Sequence, residues 1–281
     1  MRNLLFIPAV LIFILNFSGT GSAQTESLKA EDYFNRAFKL ELQGNLDDAI
    51  ADYTKAIELK PDYEQAYLQR GQAYKANVNI SESLEDLLEP IDYTQAIKDF
   101  SKVIELNPKS EIAYYLRASC YQYQNNVQAI KDYTKAIELN PDFADAYFER
   151  GVTYFSEKMT NEAIKDLTDA IRLEPDRADA YIFRSQVYED ARLYDEAIED
   201  YTILTRLTPN NFNPYGRRAA LYELKGKYAL AVKDYSKVIQ LEPNSSYFYE
   251  KRAALYRKLG KIRLALADER KAAQLEKRQN N

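Results

Sequence analysis

Apolar residues in this chain recur on paired stripes. Between 144 and 177, Tyr147, Gly151 and Tyr154 fall at spacings of four and three, which puts them on one face of a helix. Ala163, Leu167 and Ala170 do the same on a second helix, and the polar stretch 156–160 lies between the two as a short turn. Gly151 and Ala163 are small and sit inside their helices, so the two backbones can approach closely. Pro175 cannot continue the second helix and ends it. Neither helix can hide its apolar stripe alone, so the unit must stack on a neighbour.

The same unit is written along almost the whole chain. Pro61, Pro108, Pro141, Pro175, Pro209 and Pro243 follow one another at spacings of 47, 33, 34, 34 and 34. A fixed period in this range predicts a stacked array of helical hairpins rather than a compact globule. The first aromatic of each unit is Tyr33, Tyr67, Tyr114, Tyr147, Tyr181, Tyr215 or Tyr249. Four residues later comes Ala37, Gly71, Ala118, Gly151, Ser185, Ala219 or Ala253, and the second helix always carries an alanine, from Ala49 to Ala265.

These residues resemble the tetratricopeptide repeat, a 34-residue unit with an aromatic at position 4, small residues at 8 and 20, an aromatic at 24 and proline at 32. The resemblance covers residues 30 to 277. It implies an all-α, right-handed superhelical solenoid of about seven helix-turn-helix units, near 30–63, 64–110, 111–143, 144–177, 178–211, 212–245 and 246–279. The second unit is 13 residues too long, which places an acidic insert near 78–90. Leu84, Leu87 and Leu88 have helical spacing there, and Ser81 or Ser83 could cap that turn. A surface insertion of this length costs little loop entropy. In the last unit Glu269 stands where the others carry an aromatic or leucine, which suggests that the final helix is a polar cap.

Position 7 is Arg in every unit (Arg36, Arg70, Arg117, Arg150, Arg184, Arg218, Arg252) and position 23 is Asp in every unit (Asp52, Asp99, Asp132, Asp166, Asp200, Asp234, Asp268). An Arg beside the core needs a partner. From each Asp to the Arg of the next unit the spacing is always 18, whereas within a unit it varies. This predicts salt bridges across the repeat boundary: Asp52–Arg70, Asp99–Arg117, Asp132–Arg150, Asp166–Arg184, Asp200–Arg218 and Asp234–Arg252. That pairing leaves Arg36 and Asp268 without partners.

The resemblance also implies a concave groove lined by first-helix positions 2, 5, 9, 12 and 13. In this chain those positions include Phe34, Phe38, Leu68, Tyr115, Tyr123, Phe148, Val152, Phe155, Ile182, Gln186 and Glu189. The wall is expected to be apolar and aromatic in the first four units and more polar and acidic beyond them. Some members of the family clamp a terminal carboxylate with Lys at position 5. No unit here has Lys at that position, so this activity is not implied.

Chemistry is thinly provided. The chain has no His and a single Cys, so neither a Ser/His/Asp nor a Cys/His arrangement can be built, and zinc would have to rely on carboxylates. Eight scattered glycines make no phosphate-cradling loop. No catalytic, metal or cofactor site is expected. Net charge is −5, although residues 246–281 hold ten Lys or Arg against four Asp or Glu. An acidic body argues against general nucleic-acid binding.

At the front, one positive charge, an apolar run over residues 4–17 and a Gly21-x-Ala23 ending have the form of a secretory leader spanning 1–23, followed by a short lead at 24–29. The run is too short for a confident membrane span. The sequons at Asn79 and Asn244 fall in expected turns. The sequence therefore predicts an exported, periplasmic or secreted, non-enzymatic scaffold that binds a protein or peptide in its groove. The alternative is a cell-envelope assembly or chaperone-like factor that recognises apolar segments of other exported proteins.

Overall fold

The structure, a computed structural model, describes residues 28–80, 92–122 and 124–279. The leader at 1–23, the leucines of the insert and Tyr123 lie outside them. The described residues form fourteen α-helices and no strand. They pair in chain order: α1 (Ala30–Leu42) with α2 (Leu46–Leu59), α3 (Glu64–Ile80) with α4 (Thr94–Leu106), α5 (Glu111–Tyr121) with α6 (Asn126–Leu139), and α7 (Ala144–Ser156) with α8 (Thr160–Leu173). The series continues with α9 (Ala178–Asp190) and α10 (Tyr194–Leu207), α11 (Phe212–Leu224) and α12 (Tyr228–Leu241), then α13 (Ser246–Lys258) and α14 (Ile262–Gln279). Each second helix also packs on the first helix of the following pair, which makes a continuous stack. No helix among the described residues is long and apolar enough to cross a membrane. Helix α3 runs on into the insert as far as Ile80, so Asn79 lies in a helix rather than a turn; Asn244 lies in the turn before α13.

Small residues set the distance within each pair. Ala37, Gly71, Ala118, Gly151, Ser185, Ala219 and Ala253 are all buried, as are Ala49, Ala96, Ala129, Ala163, Ala197, Ala231 and Ala265. A Cβ added at Gly71 would sit 2.7 Å from a ring carbon of Phe100, and one at Gly151 would sit 3.0 Å from Leu167 Cγ. The large side chain at position 24 thus occupies the space that the small residue at position 8 leaves open.

The Arg and Asp rows pair within each unit, not across the boundary. Arg36 binds Asp52, Arg70 binds Asp99, Arg117 binds Asp132, Arg150 binds Asp166, Arg184 binds Asp200, Arg218 binds Asp234, and Arg252 binds Asp268. In each pair Nε and Nη2 donate to the two carboxylate oxygens at 2.5–3.0 Å. The six cross-boundary bridges read from the sequence are therefore wrong, and Arg36 and Asp268 are not orphans. The cause is geometric. Positions 7 and 23 are equidistant from a turn centred near position 15, so antiparallel helices bring them level. The extra residues of unit two and the missing residue of unit three lie between positions 7 and 23 in the sequence, so they change the spacing without changing which residues pair. The constant 18 reflects a constant boundary, not a contact.

The remaining nitrogen of each Arg does cross the boundary. Nη1 of Arg70, Arg117, Arg150, Arg184, Arg218 and Arg252 donates at 2.9–3.0 Å to the hydroxyl of Thr54, Ser101, Thr134, Thr168, Thr202 and Ser236, each on the preceding unit. Each hydroxyl in turn donates to a carbonyl one turn back in its own helix at 2.7 Å. The guanidinium also lies over the tyrosines of its own first helix, as Arg150 does over Tyr147 and Tyr154 at 5.8 Å. One Arg thus ties its own hairpin together with two charge-assisted bonds and its neighbour with a third. Among the described residues no unit precedes that of Arg36, and its side chain is 54% exposed against 12–17% for the other six.

In the last unit Glu269 takes two bonds from Arg257, at 2.7 and 2.9 Å. The expected polar cap is only partly realised, because Ile262 and Leu266 on α14 remain 48% and 39% exposed.

Candidate functional site

Successive first helices approach one another, α1 with α3, α3 with α5 and α7 with α9, in addition to their packing on second helices. The first helices therefore form the shorter, inner side of the stack, and their outward faces make a wall. Position 5 belongs mostly to the packing beneath that wall. Phe34 lies against Tyr53 and Tyr63, with ring centroids 5.5 and 5.1 Å apart. Tyr115 lies against Tyr133 and Phe143 at 5.8 and 4.9 Å. Leu68 and Ile182 are half-buried in the clusters around Phe100 and Tyr201. Phe148, read from the sequence as a groove residue, is 7% exposed and is core. It packs with Leu167, Ala180 and Val187, and Arg177 stacks on its ring at 4.3 Å. In units one, three and four the side chain that ends the unit (Tyr63, Phe143, Arg177) folds back over position 5, which register alone does not reveal.

Position 12 carries the polar chemistry of the wall. Tyr53 donates to Glu41 at 2.6 Å, Tyr133 to Gln122 at 3.0 Å, and Tyr201 to Glu189. Burial raises the Glu41 carboxyl above its ordinary range, and it raises the Tyr53 and Tyr201 hydroxyls strongly, helped by the carboxylate each one faces. Several of the same residues also reach the next first helix. Lys75 donates to Ser119 at 2.6 Å and Gln122 to Glu149 at 3.3 Å; Glu189 faces Arg217 at 3.8 Å, and Glu223 accepts from Lys258 at 2.9 Å. Burial pulls the Lys75 ammonium down and pushes the Glu149 carboxyl up. Sequence reading gave Glu189 to the groove but missed Lys75, Gln122 and Glu149 as its partners in kind. For Gln122 the signal was the pairing of a polar position 12 with Tyr133 at position 24.

Unit four breaks this polar row. Position 12 is Phe155 over Leu167, and position 6 of the next unit is Phe183, where the flanking units have Glu149 and Arg217. Val152, Phe155 and Phe183 are half-buried around the Phe148 cluster. A partly exposed apolar patch thus lies in the wall between the Gln122–Glu149 clasp and the Glu189–Arg217 clasp. Of the other sequence candidates, Phe38 and Gln186 are half-buried on first helices. Phe183 was not among the sequence candidates, because position 6 is outside the groove positions that the family resemblance implies.

Cys120 lies behind the wall, fully buried beside Phe100, and burial pushes its thiol up to about 11. The folded protein should therefore not react with a thiol-specific disulfide reagent at pH 8, while the unfolded chain should react with one equivalent. Rapid reaction of the folded protein would show that α5 opens readily.

Family models described as TPR repeat match residues 42–78 and 119–158, and models described as tetratricopeptide repeat match 160–212 and 213–245, together more than half of the chain. The chain belongs to the tetratricopeptide-repeat family. No curated protein matches it significantly. Among solved structures, this repeat array is similar to a MamA protein, with 27% identity and a TM-score of 0.54 over 63% of this chain and 91% of that one. It is also similar to a tetratricopeptide repeat protein from Parabacteroides merdae, at 19% identity and a TM-score of 0.59 over 88% and 93% of the two chains. A third is YrrB, described as a TPR protein with an unusual peptide-binding site, at 18% identity and a TM-score of 0.55 over 68% and 92%. At these last two identities the likeness is one of fold.

Among the described residues no cluster of His, Cys, Asp or Glu has the form of a metal site.

Proposed function

We propose that this protein is an exported, non-catalytic scaffold that holds an extended segment of a partner protein against the wall of first helices. The observation that carries this reading is the partly exposed apolar patch at Val152, Phe155 and Phe183, set between two polar clasps. Elsewhere in the array, position 12 is joined to a neighbour by a hydrogen bond or ion pair; here Phe155 takes that place, half-buried with Val152 and Phe183 against the Phe148 cluster. An apolar anchor with polar groups on either side is the usual arrangement of a recognition surface. The segment's apolar side chain packs on this patch, while its backbone N–H and C=O groups meet Glu149 and Gln122 on one side and Glu189 and Arg217 on the other. The description of YrrB as peptide-binding agrees with this use of the fold. Export rests on the leader-like residues 1–23.

The test is a photo-activatable phenylalanine analogue placed in the living source at position 155, and separately at the exposed Lys165 on α8. Adducts with one defined protein at 155, and none at 165, are expected. Equal labelling from both positions would refute the wall as the binding surface. Adducts at 155 with many unrelated exported chains would instead identify a chaperone-like factor.

A further inference from the structure

The sixth unit carries a cavity away from the wall. It has a volume of about 480 Å³ and lies between α11 and α12, lined by Tyr215, Arg218, Lys233, Asp234, Ser236, Lys237 and Gln240. Arg218 and Asp234 neutralise each other in their bidentate pair. Lys233 and Lys237 then leave the cavity with two positive charges, one turn apart on α12. Neither has an ion-pair partner among the described residues.

The earlier units show what is unusual here. Units two and three carry the same lysine pair, Lys98 with Lys102 and Lys131 with Lys135. There the second lysine is held by a carboxylate three residues on, Lys102 by Glu105 at 2.6 Å and Lys135 by Glu138 at 3.0 Å. In unit one Lys55 is held by Glu58 in the same way. Unit six keeps both lysines and replaces that carboxylate with Gln240. Like charges at this spacing repel and destabilise a helix unless an anion lies between them. Lys237 instead lies over the Tyr215 ring, 6.0 Å from its centroid. In the corresponding cavity of unit five, which includes Tyr181, Arg206 and Leu207, the position of Lys237 is taken by Ile203.

We propose that the unit-six cavity is a binding site for a phosphate ester. Two ammonium groups and the Gln240 amide supply donors for a tetrahedral dianion whose charge matches the cavity. The hydroxyls of Tyr215 and Ser236 are already committed, to the Thr205 carbonyl at 3.1 Å and the Val232 carbonyl at 2.7 Å. The Tyr215 ring, over which Lys237 and Arg218 already lie at 6.0 and 5.9 Å, forms the cavity wall beside these donors. The site is independent of the partner-binding wall.

Calorimetric titration of the full chain with phenyl phosphate, inorganic phosphate, a phosphoserine peptide and acetate, in chloride at constant ionic strength, tests this. Saturable one-to-one binding of phenyl phosphate is expected. Gln240→Glu, which restores the carboxylate of units one to three, should weaken it by about tenfold or more without lowering the melting temperature. Lys237→Ala should weaken it similarly. Tighter binding of the phosphoserine peptide than of phenyl phosphate assigns the site to a modified partner chain, and the reverse to a free ester. Absence of saturable binding, equal binding of acetate, or undiminished binding by Gln240→Glu would each overturn the proposal.

Discussion

Arg150→Leu is expected to cost about 3 kcal/mol of stability, because it leaves the buried Asp166 carboxylate without its two donors and removes the bond to Thr134. Burial already pushes the Asp166 carboxyl upward against the pull of Arg150, so losing the guanidinium should push it up further. Replacing both Arg150 and Asp166 with apolar residues should recover much of the loss. A double-mutant cycle between Arg150 and Asp166 should give a large coupling energy, and one between Arg150 and Asp132 almost none. Thr134→Val tests the boundary contact alone and should cost about 1 kcal/mol. A strong Arg150–Asp132 coupling would restore the cross-boundary lock that the sequence suggests.

Removing the last unit should have the larger effect. Deleting residues 246–281 strips Phe248 and Leu255 from the cluster that covers Ala231 and Tyr235, and it leaves Ser236 without Arg252. Each large apolar side chain lost from such a contact is worth about 1.5–3 kcal/mol. In a stack whose contacts are nearest-neighbour, the loss falls first on unit six. The truncated protein should aggregate at concentrations where the full chain is soluble, as followed by light scattering. A monodisperse truncation with an unchanged melting temperature for the first six units would show that α13 and α14 do not cap the array.

The array itself was legible in the sequence because its signals are local and repeated. Tyr at position 4, a small residue at 8, Ala at 20 and Pro at 32 each act within one hairpin, and seven copies leave little ambiguity. The Arg–Asp lock was legible as a pairing but not in its direction. Its spacing argument counted residues along the chain, whereas antiparallel helices count from the turn. The row that settles the direction, Thr or Ser at position 25 in units one to six, was present in the sequence. Arg270 stands at that position in the last unit. The wall was legible only in outline. Phe148 and Phe155 are both phenylalanines on α7, yet Arg177 and Phe183 cover the first and leave the second half-open. That difference depends on side chains from the next unit, and no single-helix periodicity encodes it.

The central claim is that the apolar patch at Phe155 and Phe183 is the anchor of the binding wall. The most direct measurement is the affinity of the segment captured at position 155, compared between the unaltered chain, Phe155→Ala and Phe148→Ala, with melting temperatures taken on the same samples. Phe155→Ala should lose about 1–3 kcal/mol of binding and keep its melting temperature, while Phe148→Ala should melt several degrees lower. Unchanged affinity in Phe155→Ala, with the protein folded, would contradict the account.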